Sequence, residues 1–220
     1  MHSVYHWQHA AHDRDRIRLM ANQVRELFGT IPDDLDTFAL ASQIVQAEAK
    51  KHFVESTRLR KWQTSGVLWW NLLDGWPQFS DAVVDYYFGR KLAYHYLWRV
   101  QRPVCVVVGE PGPDKYLPIV VCNDSRQAAE GSYRVWDADS GETAAEGTYA
   151  VPANQSWQVA RIRTHASDQR LYLIRWEADG QAFGNHYLAA LPPIALARYK
   201  AWLGEIARLP RAFDAEGVAR

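Results

Sequence analysis

At Arg102-Pro103 the hydrophobic period of this chain changes from that of a helix to that of a strand, and the change bounds every fold open to it. Proline cannot continue a helix and pushes its predecessor toward extended backbone. From Val104 onward, seven short runs follow: Val104 to Val108, Leu117 to Cys122, Ser132 to Trp136, Gly147 to Val151, Ser156 to Ile162, Leu171 to Glu177 and Gly184 to Leu191. They are separated by turn-rich strings such as GEPGPDK, NDSRQAAEG and DADSGE. Seven short strands in about 90 residues predict an antiparallel β-sandwich of immunoglobulin type. Asp179-Gly180 is the sharpest hairpin signal. Pro192-Pro193 stops the last strand, and Ile194 to Leu209 reads as a helix whose Leu196, Tyr199, Trp202, Leu203 and Ile206 pack back on the body.

Before the switch the period is helical. Ile17, Met20, Val24, Leu27 and Phe28 recur at steps of three and four, and Gly29 ends that helix. Upstream, His2, His6, His9 and His12 share a face at spacings that could hold a metal, but no acidic residue is placed to complete a shell, so no metal site is expected. Asp36 is expected to cap a long helix from about Thr37 to Lys61, with Phe38, Ala41, Ile44 and Val45 along one side. Glu48 and Glu55 on that helix are expected to pair with Lys51 and with Arg58 or Lys50, not to act as catalytic acids. A further helix is expected to open at Asp85 and run through Trp98, with Gly89 as an interior weak point. The expected division is residues 1–101, 102–191 and 192–220.

Lys plus Arg equal Asp plus Glu at 25 each, so no net field steers the chain toward nucleic acid or anionic lipid. Ten Trp and eleven Tyr favour a carbohydrate or peptide surface over a phosphate site. The two cysteines exclude a disulfide framework and a four-cysteine zinc site. Cys105 and Cys122 fall at equal distances from a turn and could lie side by side, and two buried thiols are favoured over a bridge. No run is long enough to span a membrane and no signal peptide is evident, so a cytoplasmic setting is favoured.

The chemically suggestive stretch is Gly66 to Tyr87, GVLWWNLLDGWPQFSDAVVDYY. Val67 to Trp70 reads as one buried strand of a parallel sheet, emptying into a loop at Asn71. Such carboxyl-end loops are where ligands bind in barrels and doubly wound sheets. Trp70 and Trp76 offer flat indole faces for a pyranose, and Asn71 and Asp74 offer fixed hydrogen bonds to its hydroxyls. Each Trp is otherwise accounted for as core.

The string Trp70, Asn71, Leu72, Leu73, Asp74, Gly75, Trp76, Pro77 resembles the close of the barrel in glycoside hydrolase family 2, in particular its β-mannosidase-like members. The flanking order, a long helix before and a sandwich after, is similar too. The resemblance implies the last strand and helices of a (β/α)8 barrel followed by an immunoglobulin-like sandwich, with Trp70, Asn71, Asp74 and Trp76 contacting a β-linked sugar and no cofactor. It also implies retaining hydrolysis by two glutamates at the ends of two earlier barrel strands. Neither an Asn-Glu at a strand end nor a Ser-Glu-(Phe/Ile)-Gly string occurs, so no catalytic residue is assigned here and the chain alone is expected to be inactive. A complete barrel takes about 250 residues, so the rest of it would come from a longer parent or a partner chain. The other function class open at this point is a non-catalytic carbohydrate-binding or protein-interaction module.

Overall fold

The structure is a computed structural model that describes residues 11–165 and 169–213, the side chains of 11–16 excepted. His2, His6 and His9 lie outside the described residues, and the side chain of His12 is likewise not described. In chain order the elements are α1 (Ala11–Phe28), α2 (Leu35–Leu59), α3 (Leu92–Val100), β1 (Val104–Val108), β2 (Tyr116–Asn123), β3 (Ala129–Asp137), β4 (Thr143–Val151), β5 (Gln155–Arg163), β6 (Gln169–Ala178), β7 (Gln181–Ala190) and α4 (Leu196–Ala207).

α1 ends where expected: Gly29 sits at φ +77°, which a Cβ would oppose, and its N–H reaches Arg25 O at 2.7 Å. α2 is capped two residues earlier than expected. Asp34, with extended backbone, accepts from Thr37 N at 2.8 Å, which leaves Asp36 in the first turn, where its charge suits the helix dipole.

All seven strands form, arranged as two antiparallel sheets in the orders β1-β2-β5 and β4-β3-β6-β7. The β6–β7 turn places Asp179 at φ +52° and Gly180 at +68°, the paired left-handed residues of a two-residue hairpin. Cys105 and Cys122 are register partners and are buried free thiols.

Two cores result. One lies between the sheets and includes Val106, Ile119, Val135, Ile174 and Trp176. The other joins the helices to the outer face of the larger sheet, through Val24, Ile44, Tyr96, Trp202 and Ile206 on the helices and Leu171 and Leu173 on β6. β6 is therefore covered on both faces, which is why Leu171-Tyr172-Leu173-Ile174 reads as a continuous apolar run and not as an alternating one. The C-terminal helix α4 packs into this second core, and Ile194 N donates to Leu27 O at 2.8 Å just ahead of it.

Two expectations are corrected. Val67 to Trp70 forms no ladder with any described strand; the pairings near it among the described residues are isolated bridges, Lys61 with Thr64, Leu73 with Val84 and Val84 with Arg90. A strand needs a neighbour to take its N–H and C=O groups, and none is present among the described residues. The helix expected from Asp85 begins instead at Leu92. The Asp85 carboxylate accepts from both Tyr87 N and Gly89 N at 2.8 Å, a local turn that competes with helix, and Phe88 sits at φ +64°. Gln43 on α2 supplies the missing cap by accepting from Leu92 N at 3.1 Å. No helix among the described residues is long and apolar enough to cross a membrane.

Candidate functional site

From Gly66 the chain runs extended across the helical layer with its side chains alternating. Val67 and Trp69 pack on the helical core, while Leu68, Trp70 and Leu72 are 97%, 76% and 63% exposed. The segment thus has the side-chain period of a strand, with one face covered and the other open. The Trp70–Asn71 peptide is cis, Lys50 Nζ on α2 donates to Trp70 O at 3.3 Å, and Asn71 Nδ2 donates to Leu73 O at 3.1 Å. Burial holds the Lys50 ammonium below its usual range.

The loop that follows folds around Asp74. Its carboxylate is buried; one oxygen accepts from Ser80 Oγ and, at 3.4 Å, from Gln78 Nε2, and the other takes Lys91 Nζ at 3.0 Å. The backbone closes around it, with Asp74 N donating to Val84 O at 3.1 Å and Lys91 N to Val83 O at 2.9 Å. Gln46 Nε2 ties the loop to α2 through Asp81 O at 2.8 Å, and Phe79 meets Phe38 edge-on at 6.4 Å between ring centres.

Of the four residues singled out by sequence, Trp70 and Trp76 present indole surface, Asn71 is half-buried, and Asp74 faces inward. Sequence reasoning missed Ser80, Gln78 and Lys91, which hold Asp74. The signal was a lysine 17 positions downstream, too far apart in sequence to be read as a pair.

No family model matches the chain. It is 40% identical over 79 residues to Beta-mannosidase B of Aspergillus niger, covering 34% of this chain and 9% of that relative. It is 31% identical over 119 residues to Beta-mannosidase B of Aspergillus oryzae, covering 52% of this chain and 13% of that relative. Among solved structures, the beta-D-mannosidase of Dictyoglomus thermophilum superposes with a TM-score of 0.67 at 25% identity, over 80% of this chain and 22% of that one. The chain is β-mannosidase-like and resembles the C-terminal portion of glycoside hydrolase family 2 enzymes. An exo-chitosanase of Amycolatopsis orientalis shares the fold, with a TM-score of 0.60 at 18% identity over 80% of this chain and 22% of that one. The chain spans about a tenth of the curated relatives it matches. Its helices and antiparallel sheets are those of the family's C-terminal domains.

A second polar cluster lies buried in this β-mannosidase-like portion, where the helices meet the larger sheet. Glu48 on α2 accepts from the Tyr199 hydroxyl on α4 and from His186 Nε2 on β7 at 2.7 Å. Arg99 Nη2 on α3 reaches His186 Nδ1 at 3.2 Å. Because a guanidinium only donates, Nδ1 must accept, so His186 is the neutral tautomer that carries its proton on Nε2. Burial pushes the His186 pKa down to about 3. Burial alone would raise Glu48, but His186, Lys51 and the Tyr199 hydroxyl outweigh it and hold the carboxyl at about 2. Next to it, Lys51 and Glu55 pair at 2.7 Å as expected, and Asn185 Nδ2 donates to the same carboxylate at 2.7 Å. The sequence predicts that Glu48 partners lysine or arginine on its own helix; the charge of Lys51 does reach it, but its hydrogen bonds go elsewhere. Its partners arrive from β7 and α4, more than 130 residues downstream.

Proposed function

We propose that the chain is the C-terminal part of a retaining exo-β-glycosidase of β-mannosidase type, which removes terminal β-linked sugars from glycans or glycosides. In this reading residues 1–101 are the last portion of a (β/α)8 barrel, 102–191 an immunoglobulin-like sandwich, and 192–220 a C-terminal helix and tail. The observation that carries it is the open face of Leu68, Trp70 and Leu72, in a segment with strand periodicity and no strand beside it among the described residues, in a chain similar to β-mannosidases. A barrel strand stripped of its neighbours has this form.

The remaining barrel, from the parent chain or a partner, covers that face and contributes both catalytic glutamates. Retaining chemistry needs the two carboxyls about 5 to 5.5 Å apart, one protonating the leaving oxygen while the other attacks the anomeric carbon. Trp70 forms the floor under the sugar, with Trp76 and Asn71 at its rim. Asp74 acts from behind, its carboxylate occupied by Ser80, Gln78 and Lys91, so it sets where the two indoles stand.

The test has two arms. The purified 220-residue chain should not turn over p-nitrophenyl β-mannoside; turnover that disappears in Asp74→Ala would overturn the division of labour. In the enzyme that contains this chain with its barrel, Trp70→Ala should lower kcat/KM by about 100-fold, the scale expected when a bound sugar is misplaced by an ångström. A rate near wild type there would remove Trp70 from the sugar site.

A further inference from the structure

At the end of α2, just ahead of the segment already described, the chain makes a turn that holds one more indole in the open. Trp62 is 72% exposed and its backbone lies at φ +71°, a conformation bulky side chains rarely adopt. The turn is tied down on every side. Gln63 N and Thr64 N both donate to Arg60 O, at 2.9 and 3.1 Å, and Thr64 Oγ1 donates to Thr57 O at 3.2 Å. Lys61, which lies 5.9 Å from the centre of the Trp62 ring, is ion-paired with Asp124 on the sandwich. The indole is therefore presented by a pre-formed loop, which removes much of the ordering cost of binding.

Beside it runs a groove of about 690 Å³ between the turn and the sandwich, floored in part by Val54 and Val67 and edged by the exposed amides of Gln101 and Asn154 and by Ser65. Its cations are already engaged. Arg58 donates to Pro103 O at 3.2 Å and Cys122 O at 3.3 Å and pairs with Asp124 at 3.0 Å, and Lys61 shares the same carboxylate. With Arg58 and Lys61 committed, the groove does not select an anion. Its surroundings also differ from the open face at 68–72, which is aliphatic as well as aromatic and suits burial by protein. A single exposed indole on a pinned turn, with a rim of amide and hydroxyl groups, suits a neutral polyhydroxylated ligand, stacked through its C–H face and hydrogen-bonded through its hydroxyls.

We propose that the Trp62 groove is a second carbohydrate contact, which binds an uncharged oligosaccharide chain away from Trp70. The groove's own chemistry supports this contact whether or not Trp70 holds a sugar. The experiment is titration of the purified chain with β-1,4-mannohexaose, followed by isothermal calorimetry and tryptophan fluorescence. A dissociation constant in the millimolar range is expected for one stacked indole. Trp62→Ala should weaken it about tenfold, and Gln101→Ala about threefold, with melting temperatures unchanged because both side chains are exposed. Trp157→Ala, which removes an exposed indole of β5 outside the groove, should leave it as in the parent chain. Undiminished binding in Trp62→Ala with loss in Trp70→Ala would overturn the proposal while supporting the first site. No binding up to ~10 mM would overturn it outright. So would loss of self-association in Trp62→Ala without any saccharide binding, which would make the groove a protein contact.

Discussion

The sandwich strands and the run Val67 to Trp70 both read as strand in the sequence, yet only the first became sheet. Val104-Cys105-Val106-Val107-Val108 pairs residue for residue with β2, while Val67-Leu68-Trp69-Trp70 pairs with nothing described. Among the described residues between Val104 and Ala190 one large hydrophobic residue, Trp157, is exposed; between Gly66 and Arg90 there are eight. The difference lies in the supply of partners, not in propensity. Each sandwich strand finds its neighbour within the next hairpin or crossover, whereas the segment's neighbours would have to come from outside the described residues.

The strongest way to break this contrast is to cut the helical layer from the sheet. Glu48→Ala leaves the His186 Nε2–H buried without its acceptor, removes one of the two partners of the Tyr199 hydroxyl, and leaves Arg99 with less compensating charge. Losing one member of such a buried set costs about 3–5 kcal/mol. Urea denaturation should show that loss, and hydrogen exchange should show the amides of α2 and α3 deprotected before those of β1 to β5. Equal deprotection everywhere would mean that the sandwich is not the self-sufficient region.

Acid should act on the same joint. His186 is neutral in the fold, with its pKa near 3, and its unfolded value is near 6.5. Between those values the unfolded chain binds the proton and the fold does not, so stability is complete above about pH 6.5 and falls as pH drops toward 3. Glu48 adds to the loss as pH falls from its ordinary value of 4.5 toward its folded value of about 2. The limiting slope for one proton is about 1.4 kcal/mol per pH unit. Melting temperatures of the parent and His186→Gln chains at stepped pH should converge as acidity rises, since the variant lacks the first of these titrations.

How much of this was legible follows from the range of each interaction. The strands, the Asp179-Gly180 turn and the stop at Gly29 are set by neighbours within a few residues, and they read correctly. The Lys51–Glu55 pair is one helical turn and was read as well. The Asp85 helix failed because the Asp85 side chain captures two backbone N–H groups, a choice that composition does not record. The His186 contact with Glu48 and the Lys91 hold on Asp74 were invisible because nothing local marks a residue whose partner lies far along the chain.

Within the open segment, Asp74 is the residue whose loss should be felt most locally. Asp74→Ala removes the acceptor for Ser80 and Gln78 and leaves Lys91 unpaired, worth about 1–3 kcal/mol to the loop. Exchange of the amides of Asp74, Val84 and Lys91 should accelerate while the global melting temperature moves little. A cooperative fall in melting temperature would tie the loop to the main cores more tightly than its few ladder bonds suggest.

The smallest expected effect compares one glycine from each region. Gly180 holds φ +68° in the β6–β7 turn and a Cβ there would meet nothing within 4 Å; Gly66 is equally open but carries no positive φ. Space is therefore matched and only backbone conformation differs. Gly180→Ala must place a Cβ residue in the left-handed region, at a cost of about 1 kcal/mol. Gly66→Ala meets neither clash nor strain and narrows the unfolded ensemble, so it should be neutral or stabilising by up to about 0.5 kcal/mol. Gly180→Asn should recover most of the loss, since asparagine tolerates that conformation in hairpin turns. Urea midpoints of the three variants decide the matter. A cost at Gly66 equal to that at Gly180 would mean the open segment is held in a backbone geometry as demanding as the hairpin's, and the contrast between a finished sheet and an unfinished one would lose its physical basis.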